Sequence, residues 1–255
     1  CIKCTVLNIK RVKFFGVLFI FFFFFGTISV MAKEKQDFDR LIAVMAHDIK
    51  APLSSIISLL DTILKGYLDN DLYKSKELVG RAHRKSKVLV KMLDDILDYS
   101  MISTRTNLKM GEVNIFEILK ESVHMMKPYA DEIGIRVTFK AERKISDKVW
   151  GNTTFLLRVF NNLIMNGIKY NKPKGKITIV YKKSRQLNEV EIKISDTGIG
   201  MDDEDVKKMF NLLERGKNAK KNIDGSIGLG MSLVKEIVNS HRGTIDVQSQ
   251  LNVGT

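Results

Sequence analysis

Cysteine and proline are scarce in this chain. Its 255 residues include two cysteines, Cys1 and Cys4, and three prolines. Because both cysteines lie at the amino terminus, the rest of the chain has no disulfide framework, which suits a reducing compartment such as the cytosol. The chain also lacks clusters of basic residues with interleaved aromatic residues, so nucleic-acid binding is not expected.

Charged residues are absent from one long stretch near the amino terminus. Residues 14–32 are almost entirely apolar, and a helix of that length is just long enough to cross a bilayer. Three interpretations stay open: a membrane anchor, part of a longer receptor, or an untranslated leader, since Met31 is the first methionine and Cys1 is not a natural start. We therefore expect residues 1–32 to be a transmembrane segment or a non-native leader. The protein is membrane-anchored if residues 14–32 are translated and otherwise soluble in the cytoplasm.

The chain carries an excess of positive charge. Its formal net charge is +13, and removing the four basic residues of the first 30 positions leaves +9 for residues 31–255. Such a surplus attracts nucleotides, anionic membranes or acidic proteins. We expect most of these lysines simply to solvate helix surfaces.

Apolar residues recur at steps of three and four in two consecutive stretches. The first begins at Ile42 and ends near Gly66, and the second runs from Val79 to Ser100. Both patterns predict long helices with a heptad seam, joined by a polar segment into an antiparallel hairpin. Because one hairpin leaves its seam exposed, two are expected to pair as a four-helix bundle in a homodimer.

The heptad pattern stops after residue 110. The predicted elements are then a helix over 114–127 that ends before Pro128, a strand over 135–139, a helix over 155–170, strands over 176–182 and 189–195, a helix over 229–240 and a last strand over 243–249. These elements show no βαβ repetition, so they predict an α/β sandwich of one sheet covered by helices. Residues 33–105 and 106–255 are the two expected domains.

His47 lies on the first predicted helix, away from the heptad seam. A lone histidine on a helix is usually a polar surface residue. Here Asp48 beside it can hold the imidazole in the tautomer that leaves one nitrogen free to attack phosphorus. Pro52 is expected to bend the helix just beyond, where a bend has no packing rationale. The combination favours a nucleophilic histidine.

Polar residues share one face of the predicted helix over 155–170. Asn162, Asn166 and Lys169 recur at helical spacing, and Tyr170 follows at the end of the helix. Such groups on a face that should pack are costly unless they bind a ligand. An amide oxygen suits Mg²⁺ and a lysine suits phosphate. The alternative, an amide pair that caps a neighbouring loop, is less favoured.

Two short glycine motifs follow. The motif over 196–200 comes directly after a predicted strand, and its glycines permit a tight turn close to a ligand. Asp196 could accept a hydrogen bond from the adenine amino group. The motif over 228–230 opens the last helix, whose free N–H groups favour phosphate. Each motif alone is weak and would serve equally well as a structural turn.

The segment His47–Leu53 resembles the phosphoacceptor motif of the histidine kinases, and Asn162–Tyr170 resembles the magnesium-binding motif of the same family. With the two glycine motifs, in this order, they resemble the two-component sensor histidine kinases, whose ATP domain is shared with gyrase, Hsp90 and MutL. The resemblance covers residues 35–255. Gyrase and Hsp90 lack the heptad hairpin, which argues against them.

The resemblance implies a histidine protein kinase that phosphorylates itself on His47, with Asp48 as orienting base, and passes the phosphoryl group to an aspartate on the receiver domain of a response regulator. ATP and Mg²⁺ are the implied cofactors, and Asn166 is the implied metal ligand. Residues 211–227 would contain a basic lid over the ATP phosphates. The implied ATP-binding residues are Asn162, Asn166, Lys169, Tyr170, Asp196, Gly198, Gly200, Arg215, Gly228, Leu229 and Gly230.

Four positions and the end of the chain depart from the family's pattern. Ser226 replaces the first glycine of the last motif, which affects lid geometry, while Gly167 and Asn152 replace an alanine and an aspartate and should be tolerated. Ala51 lacks the hydroxyl or amide that positions a water molecule for phosphatase action, so phosphatase activity is expected to be slow. The chain stops at Thr255, before the family's last strand, which predicts a truncated ATP domain.

Two other functions remain open. One is a catalytically impaired, nucleotide-binding dimeric adaptor that docks a response regulator, an alternative supported by Ser226 and by the missing last strand. The other is a phosphotransfer protein that relays phosphate without using ATP. Incorporation of phosphate from ATP would exclude the adaptor, and ATP binding would exclude the relay protein.

Overall fold

The computed structural model of the protein describes residues 46–67, 71–103, 109–141, 148–183, 189–214 and 228–255. Contacts divide the chain into two units, Cys1–His47 and Asp48–Thr255. The expected membrane span or leader over 1–32 lies outside the described residues. Within the described ranges, no helix has the length and apolar character needed to cross a membrane.

Two long helices open the described chain, as the heptad patterns predict. Helix α1 is described through residues 46–64, and helix α2 spans Leu72–Ser103. Gly66, in the turn after α1, has a φ of 73°. The carboxylate of Asp71 accepts the N–H of Lys74 at 2.9 Å and so caps the start of α2. The prediction of a helical hairpin is confirmed.

The last turns of α2 pack against the rest of this unit. Ile102 is 3% exposed and belongs to the main hydrophobic core. Arg158, on helix α4 (Thr153–Lys169), pairs with Asp95 at 2.8 Å and also with Asp98. Because the three side chains are only 18–24% exposed, solvent and salt screen these ion pairs less than surface pairs. They join the second helix of the hairpin to α4.

The described residues contain five strands in two sheets. Strands β1 and β3 pair antiparallel, and the larger sheet has the order β2-β4-β5, with β2 parallel and β5 antiparallel to β4. The strands are β1 Gly111–Asn114, β2 Arg136–Ala141, β3 Lys148–Gly151, β4 Lys176–Lys183 and β5 Val190–Asp196. The three predicted strands that match β2, β4 and β5 are confirmed.

Helices cover one face of the larger sheet. These are α3 (Ile115–Glu132) and α4, while α6 (Gly230–Ser240) packs against α4 and α2. The short helix α5 (Asp203–Lys208) follows the first glycine turn. The side chains that β4 turns toward the helices are fully buried, whereas the residues between them are not. The core therefore lies between the sheet and the helices, as the prediction of an α/β sandwich requires. Its fully buried members include Leu119, Ile164, Ile177, Ile179, Tyr181, Leu233 and Ile237.

Helix α3 continues past Pro128, and the prediction that it ends before that residue is wrong. The helix starts after Asn114, whose side chain accepts the N–H of Phe116 at 3.1 Å. Proline lacks an N–H and crowds the preceding turn, which weakens a helix. Met126 and Ala130, on either side of it, are 8% and 0% exposed. Burial of this turn holds the helix together through the proline.

The predicted strand over 243–249 does not form. Burial alternates along this segment, with Ile245, Val247 and Ser249 half-buried between exposed neighbours. Such alternation reports which side chains face the protein, but it does not require a ladder of backbone hydrogen bonds. The structure shows one isolated bridge just beyond the segment, between Gln250 and Gly254.

Replacing Gly167 with alanine is expected to stabilise the protein. Glycine inside a helix costs about 0.5–1 kcal/mol relative to alanine, and Gly167 lies within α4. A Cβ atom there would lie 3.3 Å from Cδ1 of Ile177, the flexible end of that side chain. We expect the free energy of unfolding to rise by about 0.5–1 kcal/mol, measured by urea denaturation of the full chain.

Gly198→Ala is the matched control and should lower stability. A Cβ atom at Gly198 would collide with the carbonyl oxygen of Tyr170, and the backbone cannot yield as a side-chain end can. A loss of stability in Gly167→Ala would mean that Ile177 cannot move aside.

Candidate functional site

Helix α4 carries most of the predicted polar residues, and Asn152 fixes its start. The Asn152 side chain accepts the N–H of Phe155 at 3.1 Å and donates to the carbonyl oxygen of Lys109 at 3.0 Å. An asparagine at this position satisfies an N–H that has no partner inside the helix. An aspartate would keep the cap but could not donate to the carbonyl oxygen of Lys109. Asparagine therefore makes one hydrogen bond here that aspartate could not make.

The two asparagines of α4 face the start of α6. Asn162 and Asn166 are one turn apart and half-buried. Nδ2 of Asn166 donates to the sulfur of Met231 at 3.3 Å. A Cβ atom at Gly230 would lie 3.4 Å from Oδ1 of Asn162. The structure therefore brings together the predicted asparagine face and the second glycine motif.

The beginning of α6, with its first backbone N–H groups, lies beside this face. Leu229 is the N-cap residue, and no described side chain caps the helix. Leu229 is 1% exposed, and Gly228 before it has a φ of 80°. The first N–H groups of a helix lack internal partners and carry the positive end of its dipole. Such a helix start, beside two amides, is suited to a phosphate group.

The first glycine motif forms a turn against the end of α4. The carbonyl oxygen of Tyr170 accepts the N–H of Ile199 at 3.0 Å. Any side chain at Gly198 would collide with that same oxygen, so the close approach requires glycine. Oδ1 of Asp196 accepts the N–H of Gly198 at 2.8 Å. The turn thus places a carboxylate beside the last turn of α4.

Burial raises the pKa of Asp196 above its usual value, and hydrogen bonds from the backbone at Gly198 and Thr255 offset part of that effect. The charged form is therefore costly in the unliganded protein. A donor that reaches the carboxylate relieves this cost, because hydrogen bonds to a charged acceptor are the strong ones. The amino group of a purine base is such a donor.

Lys169 and Tyr170 lie together at the end of α4. Nζ of Lys169 is 5.2 Å from the centre of the Tyr170 ring, within the range at which a cation and a ring attract. Both residues are half-buried. The structure therefore places the predicted phosphate-binding lysine against the ring that is predicted to stack near adenine.

The last residues of the chain pack against the first glycine turn. Gly200 has a φ of 63°, and a Cβ atom there would collide with the carbonyl oxygen of Gln250. The N–H of Asp196 donates to the carbonyl oxygen of Thr255 at 2.8 Å. The C-terminal segment thus supports the turn that carries the carboxylate.

His47 and Asp48 lie at the start of the described part of α1. His47 is exposed and Asp48 is half-buried, which agrees with the prediction that the histidine points away from the seam. Ala51, one turn further along, is exposed as well. The helix continues through Pro52. An exposed histidine is open to a partner protein.

His241, which the sequence did not single out, connects the two helices of the site. Its Nε2 accepts the N–H of Asn152 at 2.9 Å, so its Nδ1 carries the proton and donates to the carbonyl oxygen of Ile237 at 2.7 Å. Burial lowers the pKa of His241, partly offset by the bond to Ile237. A lone histidine after a helix carries no sequence signal for this role.

Several predicted residues lie outside the described part of the chain. They are Arg215, the substituted Ser226, and the lid lysines Lys217, Lys220 and Lys221.

Two family models match the chain. The "His Kinase A (phospho-acceptor) domain" matches residues 39–105, and the "Histidine kinase-, DNA gyrase B-, and HSP90-like ATPase" matches residues 151–255. The two matches place a phosphoacceptor hairpin before an ATP-binding domain.

Similar proteins combine the same two parts. Sensor histidine kinase YvrG of Bacillus subtilis is 29% identical over 252 residues, which cover 91% of this chain and 42% of that protein. Histidine kinase AdeS of Acinetobacter baumannii has the same fold, with a TM-score of 0.63 and 20% identity over 82% of this chain and 93% of that chain. Histidine kinase ThkA, in a complex with response regulator protein TrrA, gives a TM-score of 0.61 and 21% identity over 84% of this chain and 60% of that chain.

The fold and the site define a protein that joins a phosphoacceptor hairpin to an ATP-binding domain. The chain belongs to the two-component sensor histidine kinases. It spans less than two thirds of the length of these curated relatives, from 26% for one to 64% for another.

Asp196→Asn should raise the stability of the unliganded protein at neutral pH. A carboxyl group whose pKa is raised by folding binds its proton more tightly in the folded state, so stability falls as the pH rises above the ordinary value of 3.8. Asparagine removes this penalty. The gain in unfolding free energy should be present at pH 7 and should shrink as the pH is lowered toward 3.8, measured by urea denaturation at several pH values.

The same variant should bind ATP more weakly, by about 1.5–3 kcal/mol, because it would lose the predicted charge-assisted hydrogen bond to adenine. Isothermal titration of the full chain measures this. Unchanged ATP affinity would show that Asp196 does not contact the base.

Proposed function

We propose that this protein uses ATP and Mg²⁺ to phosphorylate its own His47 and passes the phosphoryl group to an aspartate on the receiver domain of a response regulator. The main support is the pairing, in one chain, of two features. One is the exposed His47 beside Asp48 on a hairpin helix. The other is the asparagine face of α4 directed at the start of α6.

In the proposed site, ATP lies across the end of α4 and the start of α6. The carboxylate of Asp196 accepts a hydrogen bond from the adenine amino group, and Tyr170 stacks near the base. The N–H groups at the start of α6 and the charge of Lys169 hold phosphates. Gly198, Gly200, Gly228 and Gly230 keep the backbone close to the nucleotide, and Arg215 lies in the segment before the lid.

The residues present fit a magnesium ion held mainly by ATP. Mg²⁺ keeps several waters and is usually bound by one or two protein oxygens together with substrate phosphates. Asn166 supplies such an oxygen, since Met231 engages its Nδ2 and leaves Oδ1 on the other side of the amide. Asn162, one turn earlier, supports it. The bound ion would neutralise charge on the phosphates.

His47 is the nucleophile in the proposed reaction. One imidazole nitrogen forms a bond to the γ-phosphorus of ATP while the bond from that phosphorus to the β,γ-bridging oxygen breaks, and ADP leaves with the electron pair. Asp48 orients the ring and accepts its proton from the other nitrogen. Catalysis in phosphoryl transfer is mainly positioning and stabilisation of charge.

The proposed acceptor is a receiver-domain aspartate. The fold neighbour ThkA is in a complex with a response regulator protein, and in this chain the exposed face of α1 around His47 is the proposed docking surface. Ala51 lies on this face, so slow removal of phosphate from the regulator stays a prediction.

A homodimer is the proposed assembly. Besides the half-buried seam, α1 carries a second apolar stripe at helical spacing that is 41% to 83% exposed: Leu53, Ile57, Leu60 and Leu64. Helix α2 exposes a similar stripe: Val90, Leu93, Leu97 and Met101. Two apolar stripes on each helix serve two neighbours, one within the hairpin and one in a second copy.

The proposed division of the chain has a dimerisation and phosphoacceptor domain over 33–105 and a catalytic domain over 106–255. Its use of ATP assigns the kinase core to the cytoplasm. Membrane anchoring depends on whether residues 14–32 are translated.

His47→Gln should abolish phosphorylation of the protein by ATP. The full chain, given Mg²⁺ and radioactive γ-labelled ATP, should acquire a phosphate that is labile in acid and stable in base, as a phosphoramidate is. Glutamine has no ring nitrogen to attack phosphorus, so labelling should vanish while ATP affinity stays unchanged. Labelling that survives, or an acid-stable phosphate, would overturn the proposal.

His83→Gln is the matched control, because this exposed histidine on α2 lacks the flanking motif. It should label like the natural protein. ATP binding without any labelling of the natural chain would favour the nucleotide-binding adaptor instead.

Ile57→Glu should dissociate the dimer. Ile57 is 51% exposed in one chain and lies in the proposed interface, where a carboxylate would be desolvated in both copies. We expect dimerisation to weaken at least about tenfold, since even 1.4 kcal/mol has this effect. Sedimentation equilibrium measures it. The neighbouring exposed Ser58→Glu adds the same charge off the stripe and should leave the dimer intact; equal effects of the two would place the interface elsewhere.

A further inference from the structure

Asn171, just after α4, uses every hydrogen-bonding group of its side-chain amide. Nδ2 donates to the carbonyl oxygens of Gly167 at 2.9 Å and Lys176 at 3.3 Å. Oδ1 accepts the N–H of Lys172 at 3.0 Å and the hydroxyl of Thr197 at 3.2 Å. An amide has two N–H donors and two acceptor positions, so all four are occupied.

These bonds connect three segments that are separate in the sequence. Gly167 belongs to the last turn of α4, Lys176 begins β4, and Thr197 lies in the turn after β5. A side chain held by four bonds keeps one orientation, because any rotation would break several of them. Asn171 therefore fixes the turn at Thr197 relative to α4.

Thr197 is also held from a second side. Its Oγ1 accepts the N–H of Lys176 at 2.9 Å, and its own N–H donates to the carbonyl oxygen of Lys176 at 3.1 Å. Asp196, the preceding residue, pairs with Ile177 across β4 and β5. The carboxylate of Asp196 therefore lies between the paired strand β5 and a turn that is held by hydrogen bonds.

We propose that Asn171 is a positioning residue for base selection: it holds the turn at Thr197 against the end of α4 and so aims the carboxylate of Asp196 at the nucleotide base. This inference rests on the proposed function, in which Asp196 accepts the amino group of adenine. Hydrogen bonds weaken steeply when distance or angle departs from the optimum. Loss of the hydrogen bonds of Asn171 should therefore weaken the contact with the amino group and leave the other contacts of the nucleotide unchanged.

The test compares ATP with purine riboside triphosphate, which has a hydrogen in place of the adenine amino group. Isothermal titration of the full chain gives the ratio of the two dissociation constants. The natural protein should prefer ATP by roughly 10-fold to 100-fold, the range of one hydrogen bond to a charged group. Asn171→Ala should weaken ATP binding about 3-fold to 10-fold and change the binding of the analogue by less than about twofold.

Two further variants sharpen the test. Thr197→Val removes the hydroxyl from the other side of the contact and should lower the preference for ATP in the same way. Asn239→Ala, at an exposed position of α6, should bind both nucleotides like the natural protein.

The outcomes separate this inference from the function on which it rests. Asp196→Ala, which removes the acceptor, should abolish the preference, and adding Asn171→Ala to it should change nothing more. A preference retained in Asp196→Ala overturns the adenine role and the inference with it. A preference lost in Asp196→Ala but retained in Asn171→Ala and Thr197→Val overturns only the inference, as does equal weakening of both nucleotides. If circular dichroism shows Asn171→Ala unfolded, Thr197→Val decides.

Discussion

The proposed nucleotide site depends on the packing of one helix, α4. Its apolar side contacts α3, α6 and the larger sheet through residues that are almost fully buried, such as Ile164 and Ile168. Close packing of this kind allows little movement. The positions of Asn162 and Asn166, which face the start of α6, are therefore set by the core. The residues that contact ATP in the proposed site are held rigidly for the same reason.

The composition of that polar side follows from the cost of burying charge. A buried, unpaired charge is very unfavourable, whereas a half-buried amide costs less and can be satisfied by a weak partner such as the sulfur of Met231. The site accordingly carries two neutral amides on α4. Its half-buried carboxylate, Asp196, carries part of this cost, because burial raises the pKa of that group. The unliganded protein is thus less stable than it would be with a neutral residue at position 196. The carboxylate is, however, a stronger hydrogen-bond acceptor than a neutral group.

The sequence predicted the elements with strong periodicity: both hairpin helices, α4, α6 and the strands β2, β4 and β5. It missed β1 and β3, because four residues are too few to show a period, and α5 for the same reason. It failed at Pro128, where burial overrides a local rule. The motif residues on α4 and in the glycine turns were identified, but His241 and Asn171 were not. Their roles depend on backbone atoms that only the fold brings near, and a single polar residue outside a motif does not reveal such partners.

The ion pairs of Arg158 connect the hairpin to the nucleotide site through the same helix. Arg158 lies one turn before Asn162 on α4, and its guanidinium engages two acidic side chains that are three residues apart on α2. Because the pairs are largely shielded from solvent, removing one partner would leave a poorly solvated charge. Any rotation of the ATP-binding domain relative to α2 must therefore break these pairs or carry both helices together. Because the core holds α4 rigidly, the asparagine face moves together with Arg158. A change in how α2 is attached to α4 would therefore also move the proposed nucleotide site.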